Sequence, residues 1–149
     1  MNLWLFGILP SGKRSGPSAQ LVDDYIARSA RYIPCEMQIA PSEQKFFEAV
    51  DRASSRTRPV LILADSAGAL LTSTEFATEL TRRIDSGAQL IVLAIGPADG
   101  WSAAARARAD LLISFGRITL PHELAAVVAA EQLYRALTIR ARHPYHCGH

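Results

Sequence analysis

Five short apolar runs, each broken off by glycine, proline or polar residues, constrain the fold of this chain more than any other feature. They are NLWLFGIL (2–9), CEMQI (35–39), PVLILAD (59–65), AQLIVLAIG (88–96) and LLISF (111–115). The third and fourth show no alternation, as expected of strands covered on both faces. The stretches between them have helical spacing. Leu21, Val22, Tyr25 and Ile26 share one face of 18–32, which Pro34 closes, and Phe46, Phe47 and Val50 do the same in 42–53. Thr72-Ser73-Thr74-Glu75 is a capping box opening a helix that Gly87 is placed to end. Alanines and arginines fill 102–109, and Pro121 starts a long helix, 121–141, apolar nearly all round in its first half. Strands and helices alternating in this way predict an α/β fold, a mostly parallel sheet flanked by helices. With no internal repeat and no linker, residues 1–149 read as one domain. A helix apolar all round also predicts a buried interface, hence a homodimer, unless it packs into its own core.

Charge adds little. Sixteen Lys+Arg against 14 Asp+Glu leave +2, too mild to mark a nucleic-acid binder. Residues 101–149 are more basic, with six arginines against Asp110, Glu123 and Glu131. Two cysteines, Cys35 and Cys147, are too few for a disulfide framework. The apolar start lacks a basic leader and stops at Pro10, too short for a signal-peptide core or a membrane span. The expectation is a cytoplasmic protein with free thiols and no membrane partner.

Several stretches bear on chemistry. GILPSGKR (7–14) has the Gly-x-x-x-x-Gly-Lys spacing of a phosphate loop. Arg14 stands where a magnesium-binding hydroxyl belongs, and Pro10 removes a backbone N–H. It reads as a basic surface loop, with no triphosphate hydrolysis. RHPYHCGH (142–149) puts His143, His146, Cys147 and His149 at one end. Four candidate ligands within seven residues of a terminus, with no supporting carboxylate nearby, are a poor zinc site, so no metal is expected. AIGPADG (94–100) and FGRITLPH (115–122) each follow a strand. Open α/β sheets bind ligands at that edge, and two such loops could enclose a flat, mostly neutral group such as an adenosine.

ITLPHEL (118–124), EQLYRALTI (131–139) and HPYH (143–146), in this order and spacing, resemble the ribosomal large-subunit methyltransferase H family of the SPOUT superfamily. LADSAGALLTSTEFA (63–77) is similar to that family's Asp-x-x-Gly segment with its Leu-x-Ser-x-x-Phe-Ala continuation, and IGPADG to its glycine loop. The resemblance spans essentially the whole chain. It implies a SPOUT-type fold with a C-terminal trefoil knot, a homodimer, and S-adenosylmethionine as methyl donor. The implied acceptor is N3 of a pseudouridine in large-subunit (23S) ribosomal RNA, met as RNA or ribosome. Carried over by motif, Ala64, Gly96 and the segment Phe115, Gly116, Arg117, Ile118, Thr119 and Leu120 form the cofactor pocket.

The same resemblance implies that the tail is ordered across the dimer interface, its end over the partner's cofactor. There His146 is expected to remove the N3 proton, or only to anchor the tail, and Tyr145 to stack on or hydrogen-bond the base. Arg135 and Arg142 are expected to contact RNA phosphate. Four positions depart from the family. Its terminal Tyr-His-Arg reads Tyr145-His146-Cys147, its second loop glycine is Pro97, a basic helix position is Ala126, and a lysine is Ala69. These departures favour, as the alternative, a catalytically weakened knotted homologue that binds RNA or nucleotide.

Overall fold

The computed structural model describes residues 1–147, so His149 and the zinc question attached to it lie outside the described residues. Five strands, β1 (Asn2–Ile8), β2 (Cys35–Ala40), β3 (Val60–Leu70), β4 (Leu90–Ile95) and β5 (Leu111–Ser114), form one sheet. Its order is β2-β1-β4-β3-β5, and every pairing is parallel. Five helices alternate with the strands: α1 (Gly16–Ser29), α2 (Glu43–Arg52), α3 (Ser73–Asp85), α4 (Ala103–Arg108) and α5 (His122–Arg140).

Each apolar run forms a strand, and the central ones are unbroken because the sheet is covered on both faces there, whereas the edge strand β2 is buried fully only at Cys35 and Ala40. Leu3, Leu5, Ile91 and Leu93 point into a core closed by α1, α3 and α5; Phe6, Ile8, Val92 and Ala94 point into a second one under α2 and α4. All six residues of β4, the central strand, are buried. Helix starts follow from local chemistry. The Ser42 and Ser102 hydroxyls accept from Lys45 N–H and Ala105 N–H, and Thr72 and Glu75 bond reciprocally as a capping box. Each cap contributes about 1 kcal/mol.

Two elements differ from expectation. β3 does not stop at Asp65 but continues to Leu70 through a bulge: Ala64 and Ala69 both stand opposite Ile113, and 65–68 loop out between them. Gly68 permits this, since a Cβ there would lie 2.6 Å from Ile113 backbone atoms. Asp65 secures the loop. Its buried carboxylate accepts from Ala67 N–H at 2.8 Å and from Arg106 Nε at 2.8 Å. The apolar character of α5 is also largely used within its own chain. Ala126, Ala129, Ala130, Leu133, Ala136 and Leu137 are buried in the core it shares with α1 and α3. Among the described residues, no helix is long and apolar enough to cross a membrane.

Candidate functional site

The strand order gathers three of the expected segments at one edge. Ala64 pairs with Ile95 of β4 on one side and Ile113 of β5 on the other, so Ala64, Gly96 and the residues after Ser114 emerge together at the carboxyl end of the sheet. That is where open parallel sheets bind ligands. A cavity of about 320 Å³ opens there, between the end of β3 (Leu70), the start of α3 (Thr72, Ser73), the segment after β5 (Phe115, Gly116) and α5 (Gln132). Its size falls in the range of small-molecule sites. Ser114 shapes the entrance, its hydroxyl donating to the Gly116 carbonyl and accepting from the Gly116 N–H. Gly116 sits at φ 121°, a conformation that favours glycine, and the space where a Cβ would stand is open. A flat ligand can therefore approach the backbone here.

Of the expected cofactor residues, Phe115 and Gly116 line this cavity; Ala64 and Gly96 do not. Trp101, which sequence reasoning passed over, covers both of these. Its indole N–H donates to the Ala64 carbonyl at 2.9 Å, and its ring would lie 2.7 Å from a Cβ on Gly96. Gly96 is thus a glycine for a packing reason as well. Arg117, Ile118 and Thr119 are exposed, and Leu120 is half-buried. His122, at the start of α5, lies against Gly7 of β1 and has no hydrogen-bond partner for its buried Nε2. Desolvation pulls its pKa below the ordinary imidazole value, although Glu123 opposes the shift.

The tail forms a separate cluster on α5. Tyr145 packs edge-on against Tyr134, ring centroids 4.7 Å apart, and the Arg135 guanidinium lies 4.9 Å from the Tyr145 ring centre. The Tyr145 hydroxyl donates to Glu131 Oε1 at 3.1 Å. Burial, helped by the Glu131 carboxylate, pushes this phenol up to about 12, so it keeps its proton at neutral pH. Arg135 Nε and NH2 both bond Glu131 Oε1, at 2.9 and 2.7 Å, and NH1 reaches His146 Nδ1 at 3.0 Å. From Glu131 the network runs into the cavity wall: Gln132 Nε2 donates to Glu131 Oε2 at 2.7 Å, and Ser73 Oγ donates to Gln132 Oε1 at 2.8 Å.

Glu131, Gln132 and Ser73 were therefore missed as site residues. The only signal for them in the sequence is the Glu131/Arg135 spacing, one helical turn apart. Arg135, expected on phosphate, has its guanidinium engaged by Glu131 and His146 within the chain. Arg142 is exposed, at φ 57°. Tyr145 and His146 do not line the cavity of their own chain. Among the described residues, no group of three or more His, Cys, Asp or Glu converges as a metal site.

The phosphate-loop look-alike is a closed turn. Gly12 N–H donates to the Leu9 carbonyl, Lys13 N–H to Ser11 Oγ, and Arg14 pairs with Asp23 at 2.9 Å.

Comparison with known proteins adds independent findings. The family model described as "Predicted SPOUT methyltransferase" matches residues 6–146. The chain is 44% identical over 129 residues to the ribosomal RNA large subunit methyltransferase H of Koribacter versatilis, covering 87% of this chain and 88% of that one. It is 37% identical over 156 residues to the protein of that name from Brucella ovis, covering 89% and 92%. Among solved structures, the SpoU methyltransferase AviRb of Streptomyces viridochromogenes, in complex with the cofactor AdoMet, is similar with a TM-score of 0.53 at 18% identity. The match covers 95% of this chain, which spans only 58% of AviRb. A probable methylase family protein from Haemophilus influenzae gives 0.54 at 11% identity, covering 95% of this chain and 66% of that one. At these identities the structures speak to the fold alone.

Proposed function

The chain belongs to the SPOUT methyltransferases, in the ribosomal RNA large subunit methyltransferase H family, and from that premise we propose that it methylates large-subunit ribosomal RNA using S-adenosylmethionine. The position we assign is N3 of a pseudouridine. The observation that carries this reading is the cavity at the carboxyl edge of the sheet, walled by the segment that the family's motif marks for the cofactor. The residues fit such a group: an open glycine backbone at Gly116, an aromatic face at Phe115 and a polar pair at Ser73 and Gln132. When bound, S-adenosylmethionine supplies an electrophilic methyl group on a sulfonium and keeps the electron pair of the broken bond.

This chain's own part is to hold and to align. Ser114 fixes the turn at Gly116 by bonding both of its backbone polar groups, which holds the Phe115–Gly116 wall of the cavity in one position. Ala64 and Gly96 shape the neighbouring rim from beneath Trp101. Tyr145 and His146, held together on α5, are the groups offered to the acceptor base, and Arg142 and Arg117 are exposed cations within reach of a phosphate backbone.

The same proposal includes one domain over the whole chain, a trefoil knot in its C-terminal third, and a homodimer in which one tail completes the partner's site. Two features support the dimer. Tyr145 and His146 do not line their own cavity, and large apolar side chains are exposed, Leu70 of the cavity wall by 63% and, in the segments after β5 and at the start of α5, Ile118 by 83% and Leu124 by 49%. No metal and no membrane enter this reading, and the cytoplasm is its place.

Incubation of the protein and labelled S-adenosylmethionine with ribosomes, subunits or naked RNA lacking the modification tests it. Label is expected in large-subunit RNA, mapped by mass spectrometry to N3 of a pseudouridine. No incorporation into any of the three substrates would overturn the reading.

A further inference from the structure

We propose that Glu131 and Arg135 are positioning residues of the transfer site, and that they hold the His146 imidazole in its Nε2–H tautomer, so that it meets the acceptor base as a hydrogen-bond donor. This deepens the methyltransferase reading and rests on it. The argument starts from a donor count. A guanidinium has N–H groups and no acceptor. The 3.0 Å contact between Arg135 NH1 and His146 Nδ1 therefore needs the Nδ1 lone pair. The one proton of a neutral ring must then sit on Nε2. In this arrangement Nδ1 is occupied and Nε2 already carries its hydrogen. The ring has no free lone pair with which to take a proton, and it has one N–H to give.

Glu131 is what makes Arg135 dependable. Its Oε1 receives Arg135 Nε and NH2 and also the Tyr145 hydroxyl, which fixes the guanidinium plane and the phenol together. Its Oε2 receives Gln132, whose own carbonyl oxygen receives Ser73 in the cavity wall. The side chains of both partners are about four-fifths buried, Glu131 18% and Arg135 22% exposed, so the pair is shielded from competing water. A carboxylate four residues ahead of an arginine on one helix is also the favourable orientation. Four tail and helix groups are thus referenced to one carboxylate, and that carboxylate to the cavity.

The chemistry fits a donor. An imide N3–H lies between two ring carbonyls, and its loss spreads negative charge onto their oxygens. A fixed N–H aimed at such an oxygen stabilises that charge as it develops. The N3 proton would pass to water, and the freed N3 lone pair would form the new N–C bond as the methyl–sulfur bond breaks with its electron pair left on sulfur. Nothing is added to His146 and nothing is taken from it.

Nitrogen-15 NMR of histidine-labelled protein reads the tautomer without turnover, with the His146 signals assigned by their loss in His146→Gln. An unprotonated Nδ1 and a protonated Nε2 are expected in the wild type, with this preference lost in Arg135→Met and in Glu131→Ala. A protonated Nδ1 in the wild type would overturn the proposal. Single-turnover methylation then separates the roles. His146→Gln keeps an N–H donor and accepts no proton, so it should stay within about tenfold of wild type, whereas His146→Ala should fall about 10²–10³-fold. Equal collapse of both, with donor affinity intact, would restore His146 as the base and overturn the proposal. Glu131→Ala should slow the step roughly 10²-fold while S-adenosylmethionine affinity stays the same. If the wild type itself methylates nothing, the parent reading fails, and the NMR result still decides the tautomer.

Discussion

The loop after β1 and the tail after α5 carry two of the densest sets of reactive side chains in the sequence, and the structure treats them in opposite ways. In the loop, Ser11 and Lys13 bond to each other and Arg14 pairs with Asp23, so that among the described residues these side chains find their partners in the loop itself and in the helix that follows it. In the tail, Tyr145 and His146 are tied to Glu131 and Arg135, and through Gln132 to the cavity. A motif-like spacing is chemically empty when its neighbours are its own turn. In the tail, one half-buried carboxylate, Glu131, ties together residues that are scattered in the sequence.

The sharpest way to break this contrast is to remove the tail's reactive group. His146→Ala should cost about two to three decades of single-turnover rate, read on ribosomes or RNA. A full-rate variant would reduce the tail to packing. A second change strikes the strand that feeds the cavity. Gly68→Ala drives a methyl group to 2.6 Å from the Ile113 backbone and should lower unfolding free energy by about 2 kcal/mol or more, read as the urea midpoint. An unchanged midpoint would mean that the bulge relaxes freely. Smaller is the repair of the tail's missing cation. Cys147 is exposed, its Sγ donating among the described residues to the Pro144 and Tyr145 carbonyls, whereas an arginine could pair with phosphate. Cys147→Arg is expected to raise methylation roughly tenfold, since about 1.4 kcal/mol is one decade. No gain would place the family's arginine in a packing role. At the small end, Lys13→Ala in the isolated loop should weaken RNA binding by no more than the release of about one counterion, visible as a slightly shallower salt dependence. A change of several decades would mean that the loop is part of the site after all.

Most of the architecture was legible because two-sided burial writes itself as unbroken apolar runs. β4, buried at every position, is the clearest case. The continuation of β3 was not legible, since Asp65-Ser66-Ala67-Gly68 looks like a turn and only the close approach of Ile113 reveals why a glycine is needed. Trp101 was passed over for the same reason: its role depends on the Ala64 carbonyl, 37 residues away in sequence. Phe115 and Gly116 came from the resemblance and do line the cavity. The charge network was beyond reach. Glu131 and Arg135 are one turn apart on α5, but the third and fourth partners come from a tail that folds back on the helix.

Stability and pH sharpen the comparison further. Desolvation disfavours the charged form of His122, so its folded-state pKa lies below its unfolded one. The unfolded chain then binds the extra proton first, and stability falls as pH drops below about 6.5. Chemical denaturation in the wild type and His122→Gln, compared across pH 5 to 8, should show a smaller loss on acidification in the variant. An unchanged slope would assign the pH dependence to other groups. The phenol of Tyr145 stays protonated up to about 12, so it adds nothing in this window.

The central claim is that the carboxyl edge of the sheet holds the methyl donor while the tail acts only on the acceptor. Calorimetric titration of S-adenosylmethionine into the wild type, Gly116→Val and His146→Ala tests it most directly. Gly116 has φ 121° and open space at its Cβ position, so a valine there both strains the turn and fills the approach. Saturable binding to the wild type, the same affinity in His146→Ala and no detectable binding in Gly116→Val are the predicted results. Unchanged affinity in Gly116→Val, or loss of binding in His146→Ala alone, would contradict the claim.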